Sequence, residues 1–365
     1  MTEKQNYGTA NGFGLPDIKL APINLNNLGY EKTYPLLREL ATTQAETQMW
    51  FASKILVEDD AMELKYDLTE RQQAVIKAIV PMFRKYEMDV SDFWTKVYCC
   101  FFVHALCQEG ASVINMMERF VHAQFYDKIS IVFGMDNDED YLSYLNDPIF
   151  KERAKWLGEM LNHPNKKLVC LVFGLVEGVS LFSMFALLRS FQANGNNLLK
   201  ATVKGTKQSA EDELLHSNYL AVSFRYYYGE LGITINDEPE YLAELIEMTK
   251  ALVEMEMFII DSLLGTEDFN GVSVAEYKKF VKKLANNYLV ALGVDKQYLP
   301  YDVEHSELED WFSMQNTAYA ETDFFDKGEN KEYENHWQAS QFEPKMIELS
   351  ELMKQYENPY LAEEV

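Results

Sequence analysis

Residues 168–188 read LVCLVFGLVEGVSLFSMFALL, twenty-one positions with a single charge, Glu177, near the centre. A segment of that length and character either crosses a bilayer or forms a bundle helix that is apolar on every side. No second stretch of the kind occurs, and the flanks carry no clear basic bias. The expectation is therefore a central helix of a bundle and no membrane association. In either setting a glutamate among such neighbours is costly unless something compensates it.

The remainder of the chain agrees with an all-α fold. Only 17 glycines and 10 prolines are spread over 365 residues, and long stretches contain neither. Apolar stripes at helical spacing predict helices over about 34–50, 70–97, 101–133, 148–162, 166–192, 197–229, 238–264 and 273–293. Thr69 and Gln72 form a capping box at the start of the second, and Pro81 inside it is expected to kink it. Three regions are expected: an extended arm over 1–30, a helical body over 31–325, and an acidic, mobile tail over 326–365. A net charge of -25 with a pI near 4.6 excludes a basic nucleic-acid-binding face. The four cysteines (Cys99, Cys100, Cys107 and Cys170) lie in apolar surroundings and read as reduced, buried thiols. Residues 1–21 lack the apolar core of a secretory signal, and the expected location is cytoplasmic.

Four of the predicted helices carry acids on their apolar faces. Glu87 falls on the stripe Ile76, Ile79, Val80, Phe83 and Val90, with Asp89 as an alternate. Glu118 and His122 share a face with Ala111, Ile114, Phe125 and Ile129. Glu177 aligns with Phe173, Gly174, Leu181 and Met184, and Glu213 with His216 and Leu220. Four inward carboxylates without cations would repel and lose hydration at a cost of several kcal/mol each. Two metal ions remove that cost, and four carboxylates with two imidazoles are the ligand set of a dinuclear site in a helix bundle. Oxygen-rich ligation with one imidazole per ion suits iron or manganese better than a thiolate-seeking metal.

These residues resemble the radical-generating small subunit of class I ribonucleotide reductase, over roughly residues 34–333. Glu211-Asp212-Glu213-Leu214-Leu215-His216 is similar to the family's Asp-Glu-x-x-His ligand motif, and Glu177 looks like its lone ligand glutamate. Glu87 looks like the first-helix carboxylate. His122-Ala123-Gln124-Phe125-Tyr126 matches the family's His-x-x-x-Tyr, and Trp50 matches a tryptophan that ends its first helix. The departure is Glu118-x-x-x-His122 where the family has Glu-x-x-His. A one-residue π-bulge would let both side chains face the site. The alternative is that Arg119, in the expected register, intrudes and alters metal binding.

The resemblance implies a ferritin-like bundle holding an iron pair, with a manganese pair or a mixed pair able to use the same ligands. It implies that the site, once oxidised by dioxygen or superoxide, oxidises Tyr126 to a stable radical, with Phe125, Leu181 and Phe185 as walls. The oxidising equivalent then passes by way of His122, Asp212, Trp50 and a tail tyrosine, Tyr356 or Tyr360 with Tyr356 preferred, to a separate large catalytic subunit. The implied partners are a second copy of the chain, the large subunit docked through the tail, and a flavodoxin-like activator. The competing readings are an R2-like ligand-binding oxidase of the same fold and a non-catalytic dimetal bundle.

Overall fold

The computed structural model describes residues 18–25 and 34–312, and every helix named below lies in one compact unit that ends at Asp310. Among the described residues there is no strand, only an isolated antiparallel bridge between Phe269 and Val272. The principal helices are α1 (Pro35–Glu46), α2 (Glu70–Phe93), α3 (Ala105–Met116), α4 (Ala123–Val132), α5 (Pro148–Leu161), α6 (Lys166–Leu175), α7 (Leu181–Arg189), α8 (Lys200–Leu231), α9 (Pro239–Leu264) and α10 (Val274–Leu292). Three π-helical turns interrupt the α geometry: Trp94–Tyr98 after α2, Met117–His122 between α3 and α4, and Val176–Ser180 between α6 and α7.

The apolar stretch is the centre of the bundle. The 30 residues Lys166–Gly195 have a mean hydropathy of 2.2, and 94% of their most apolar window is buried. α8 packs along both halves of this segment, while α9 and α10 close the other side. The expected central helix is largely buried, and Glu177 within it fully so.

Local chemistry sets the ends of the helices that carry the inward acids. The Thr69 hydroxyl accepts from the Gln72 amide, and the Gln72 side chain accepts from the Thr69 amide, so α2 starts with the predicted capping box. Pro81 sits buried within α2 without ending it. Asn165 caps α6 by accepting from the Leu168 amide. α8 has no side-chain cap of its own, because Leu199 stands in the left-handed region at φ 53°. Its first amides are met by borrowed acids: Asp60 accepts from Ala201 at 3.2 Å and Thr202 at 2.6 Å, and Glu63 accepts from Leu199 at 2.6 Å. Negative charge at a helix N-terminus is favourable, which gives the acidic break near residue 60 a purpose.

Three expectations need correction. α3 starts at Ala105 rather than 101, because the ring of His104 accepts from the Leu106 amide and supplies the N-cap. α8 runs past Gly229 to Leu231, and Gly232, at φ 69°, takes the left-handed C-terminal position. The thiols are not uniformly buried: Cys107 and Cys170 are, but Cys99 is partly exposed and Cys100 exposed. Most of the expected N-terminal arm, and the whole tail with Tyr356 and Tyr360, lie outside the described residues.

Candidate metal centre

Glu87, Glu118, His122, Glu177, Glu213 and His216 are all fully buried, and the bundle brings the six together. They form two overlapping donor sets. Glu87, Glu118, His122 and Glu213 offer one ligand atom each, all within 4.8 Å of one another; Glu118, Glu177, Glu213 and His216 do the same. Glu118 and Glu213 belong to both sets, and each set holds one imidazole.

The π turns explain how these side chains converge. Met117–His122 accommodates the extra residue between Glu118 and His122, so both point inward. Arg119 is turned out: half exposed, it reaches Asp92 at 3.2 Å and Ser91 at 3.3 Å. The reading in which Arg119 intrudes is thereby excluded by position. Asp89, the alternate to Glu87, pairs with Lys85 along the helix face instead.

Only some polar atoms of the cluster satisfy one another: His216 Nδ1 and one Glu213 oxygen are hydrogen-bonded at 2.8 Å. Both oxygens of Glu87 and of Glu118, one of Glu177, one of Glu213 and Nδ1 of His122 are buried without a hydrogen-bond partner. His122 Nδ1 stands 3.0 Å from Glu213, 3.4 Å from Glu118 and 3.5 Å from Glu87, while His216 Nδ1 stands 2.6 Å from Glu118 and 2.8 Å from Glu213. Burial pushes the Glu87 and Glu177 carboxyls well above the ordinary range, and the neighbouring acids add to this. Burial acts on Glu118 in the same sense, yet His122 and His216 together hold it well below that range. His216 is pushed up to about 9, Glu213 and Glu118 overcoming burial. Buried donors converging with unused lone pairs fit a dinuclear metal centre, and the all-oxygen-and-imidazole set fits hard or borderline divalent ions.

The outer contacts orient the imidazoles. Asp212, almost fully buried, uses one oxygen to meet both His122 Nε2 and Trp50 Nε1, each at 2.8 Å. Its other oxygen accepts from the Gln44 amide at 2.9 Å. The Gln44 carbonyl in turn faces His216 Nε2 at 3.1 Å. Both rings thus turn Nε2 outward and Nδ1 toward the carboxylates, the arrangement that fixes a ligand tautomer.

A family model described as ribonucleotide reductase, small chain, matches residues 22–304. The chain belongs to that family. A probable ribonucleoside-diphosphate reductase small subunit of Invertebrate iridescent virus 6 is 23% identical over 289 residues, 68% of this chain and 78% of that one. Among solved structures, the R2 subunit from Clostridium botulinum matches with a TM-score of 0.70 at 20% identity, covering 80% of this chain and 91% of its own. The dimanganese(II) NrdF of Streptococcus sanguinis matches with a TM-score of 0.65 at 18% identity, over 76% and 95% of the two chains. The Rnr4 homodimer of Saccharomyces cerevisiae gives 0.63 at 14%, over 80% and 92%. As a ribonucleotide reductase small chain the protein is an oxidoreductase subunit with a ferritin-like fold.

Tyr126 of this small chain is fully buried, with its hydroxyl unpartnered. Phe83 stacks on it at 4.5 Å, Phe125 meets it edge-on at 5.0 Å, and Phe185 stacks behind Phe83 at 5.1 Å. Phe83 is a wall that the helical pattern alone did not single out. Burial pushes the phenol well above its ordinary range, the Glu87 charge adding to the effect.

Two residues of the surroundings were missed from sequence. Gln44 is fully buried on the same face as Leu37 and Ala41, a polar residue on an apolar stripe, which is the signal that identified Glu87. Trp94, seven positions after Glu87, donates its indole N–H to Glu177 at 2.9 Å. Nothing in its spacing separates it from ordinary core packing.

Proposed function

We propose that this chain is the radical-generating subunit of its reductase, with Glu87, Glu118, His122, Glu177, Glu213 and His216 holding two metal ions and Tyr126 storing the oxidant. The observation that carries the reading is the continuity of contacts from the donor sets through His122 to Asp212 and Trp50. A pair of iron or manganese ions, or one of each, would supply one-electron oxidising power at the centre. The dry aromatic enclosure of Tyr126 would not hold a charged phenol, which suits storage of the oxidant as a neutral ring. The same enclosure keeps water and reductants from the radical.

Asp212 holds His122 and Trp50 on one carboxylate oxygen, and the Trp50 ring lies 5.6 Å from the His122 ring in a stacked orientation. This is the route by which the oxidising equivalent leaves toward a large catalytic subunit, where ribonucleotides are reduced. The acidic segment 326–365 with Tyr356 is the docking tail and last relay, residues 1–30 are an arm, and a second copy of the chain completes the small subunit. A flavodoxin-like activator is the further partner in this reading.

The test is electron paramagnetic resonance of the full chain after anaerobic metal loading and exposure to oxygen. A tyrosyl signal present in the native chain and lost in Tyr126→Phe, with nucleotide reduction in the presence of a cognate large subunit, is expected. A loaded centre that gives no such signal, or that oxidises a bound long-chain ligand instead, would overturn it in favour of the oxidase.

A further inference from the structure

The π turn that carries Glu177 is held by residues that are not themselves in the metal-ligand set. In this turn Leu181 donates to the Val176 carbonyl, five residues back. At its end the Ser180 carbonyl receives two side-chain donors, Arg153 Nη2 at 2.9 Å and Ser183 Oγ at 2.8 Å. Arg153, on α5, and Glu256, on α9, are both fully buried and paired at 2.9 Å. Glu256 also accepts from the hydroxyls of Ser180 and Ser183. Arg153 Nε reaches the hydroxyl of Tyr86 at 2.8 Å, its guanidinium covers the Tyr86 ring at 4.3 Å, and Nη1 meets the Met82 sulfur.

Stability alone does not account for this arrangement. A buried ion pair costs desolvation comparable to its attraction, and a well-packed apolar pair is often as stable. What the pair supplies is direction. A planar guanidinium fixes several acceptors at once, and here they are Ser180, three residues after Glu177, and Tyr86, next to Glu87. A π turn is rare and readily relaxes to α geometry, which would rotate Glu177 away from its present aim. Neither Arg153 nor Glu256 contacts a ligand carboxylate.

We propose that Arg153 and Glu256 are positioning residues that lock the Val176–Ser180 π turn and so aim Glu177, and through Tyr86 also Glu87, into the metal centre. This rests on the reading of Glu177 and Glu87 as ligands.

The experiment is anaerobic titration of the metal-free full chain with manganese(II), following free ion by electron paramagnetic resonance. The double variant Arg153→Met/Glu256→Leu leaves no stranded charge. It should stay folded and bind one of its two ions about 10- to 100-fold more weakly, the loss typical of removing an orienting partner. In its metal-free crystal structure the Leu181 amide should have shifted from the Val176 to the Glu177 carbonyl. Should the double variant not fold, Arg153→Lys keeps the charge but not the fork, and the same loss is expected. Unchanged affinity at both ions in either folded variant overturns the proposal. So does an equal loss in Lys167→Met/Glu238→Leu, a buried pair at the far end of α6, since that would mean general loosening. A native chain that binds no manganese, or a Glu213→Ala variant that binds as many ions as the native chain, would instead overturn the ligand reading on which the proposal stands.

Discussion

Gln44 spends both ends of its amide inside the centre, donating to Asp212 and facing His216. Gln44→Leu strands an imidazole N–H and a carboxylate oxygen, so metal affinity should fall about 10- to 100-fold while the helix content is kept. Competition with a chelator of known affinity measures this. The protons of the centre give a second expectation. With His216 raised to about 9, the metal-free chain gains stability from its charged form below the usual histidine value near 6.5, and loses that stability as pH rises through about 9. Metal uptake needs the neutral ring, so loading should strengthen across the same window and release at least one proton per chain at pH 7. Calorimetry in buffers of different ionisation enthalpy reads the proton count, and zero would contradict it. The six donors were legible because acids and imidazoles on apolar stripes are too costly to bury together without cations. Trp94 was not, because an inward tryptophan is what any core contains.

At the scale of elements, the π turns decide where the ligands point. The one at Met117–His122 could be anticipated, because a one-residue excess stood against a family spacing. Those at Trp94–Tyr98 and Val176–Ser180 leave no such mark, since no reference spacing crosses them. Deleting Phe120, whose side chain is half exposed, would restore Glu-x-x-His. The turn should then close into regular α-helix with both side chains still facing inward. Metal stoichiometry should hold at the native value by elemental analysis, and the thermal midpoint should rise by about 2–4 °C. A loss of metal would mean that the wider turn is itself required for the aim of Glu118. Helix limits were the less legible part, because a cap can come from far away in the chain, as Asp60 and Glu63 do for α8.

At the scale of the molecule, close approach of α8 to α4 holds the rings beside the centre in place. A Cβ on Gly205 would stand 2.2 Å from the Phe125 ring, and that ring packs edge-on against Trp50 at 5.5 Å and Tyr126 at 5.0 Å. Gly205→Ala should therefore cost about 1–3 kcal/mol in chemical denaturation and displace the Trp50 and Tyr126 rings together. The central segment Lys166–Gly195 has a further consequence, one that belongs to birth rather than function. Three of the helices that cover it, α8, α9 and α10, follow it in the chain, while α2 and the turn after it precede it. At a synthesis rate of about 5–20 residues per second, roughly a hundred residues must still emerge before those three are in place, leaving it only partly covered for several seconds. Throughout that interval Glu177 is the lone charge in residues 168–188. A lone charge so placed opposes clumping of the nascent segment and its transfer into a bilayer, whatever Glu177 does once the bundle has closed.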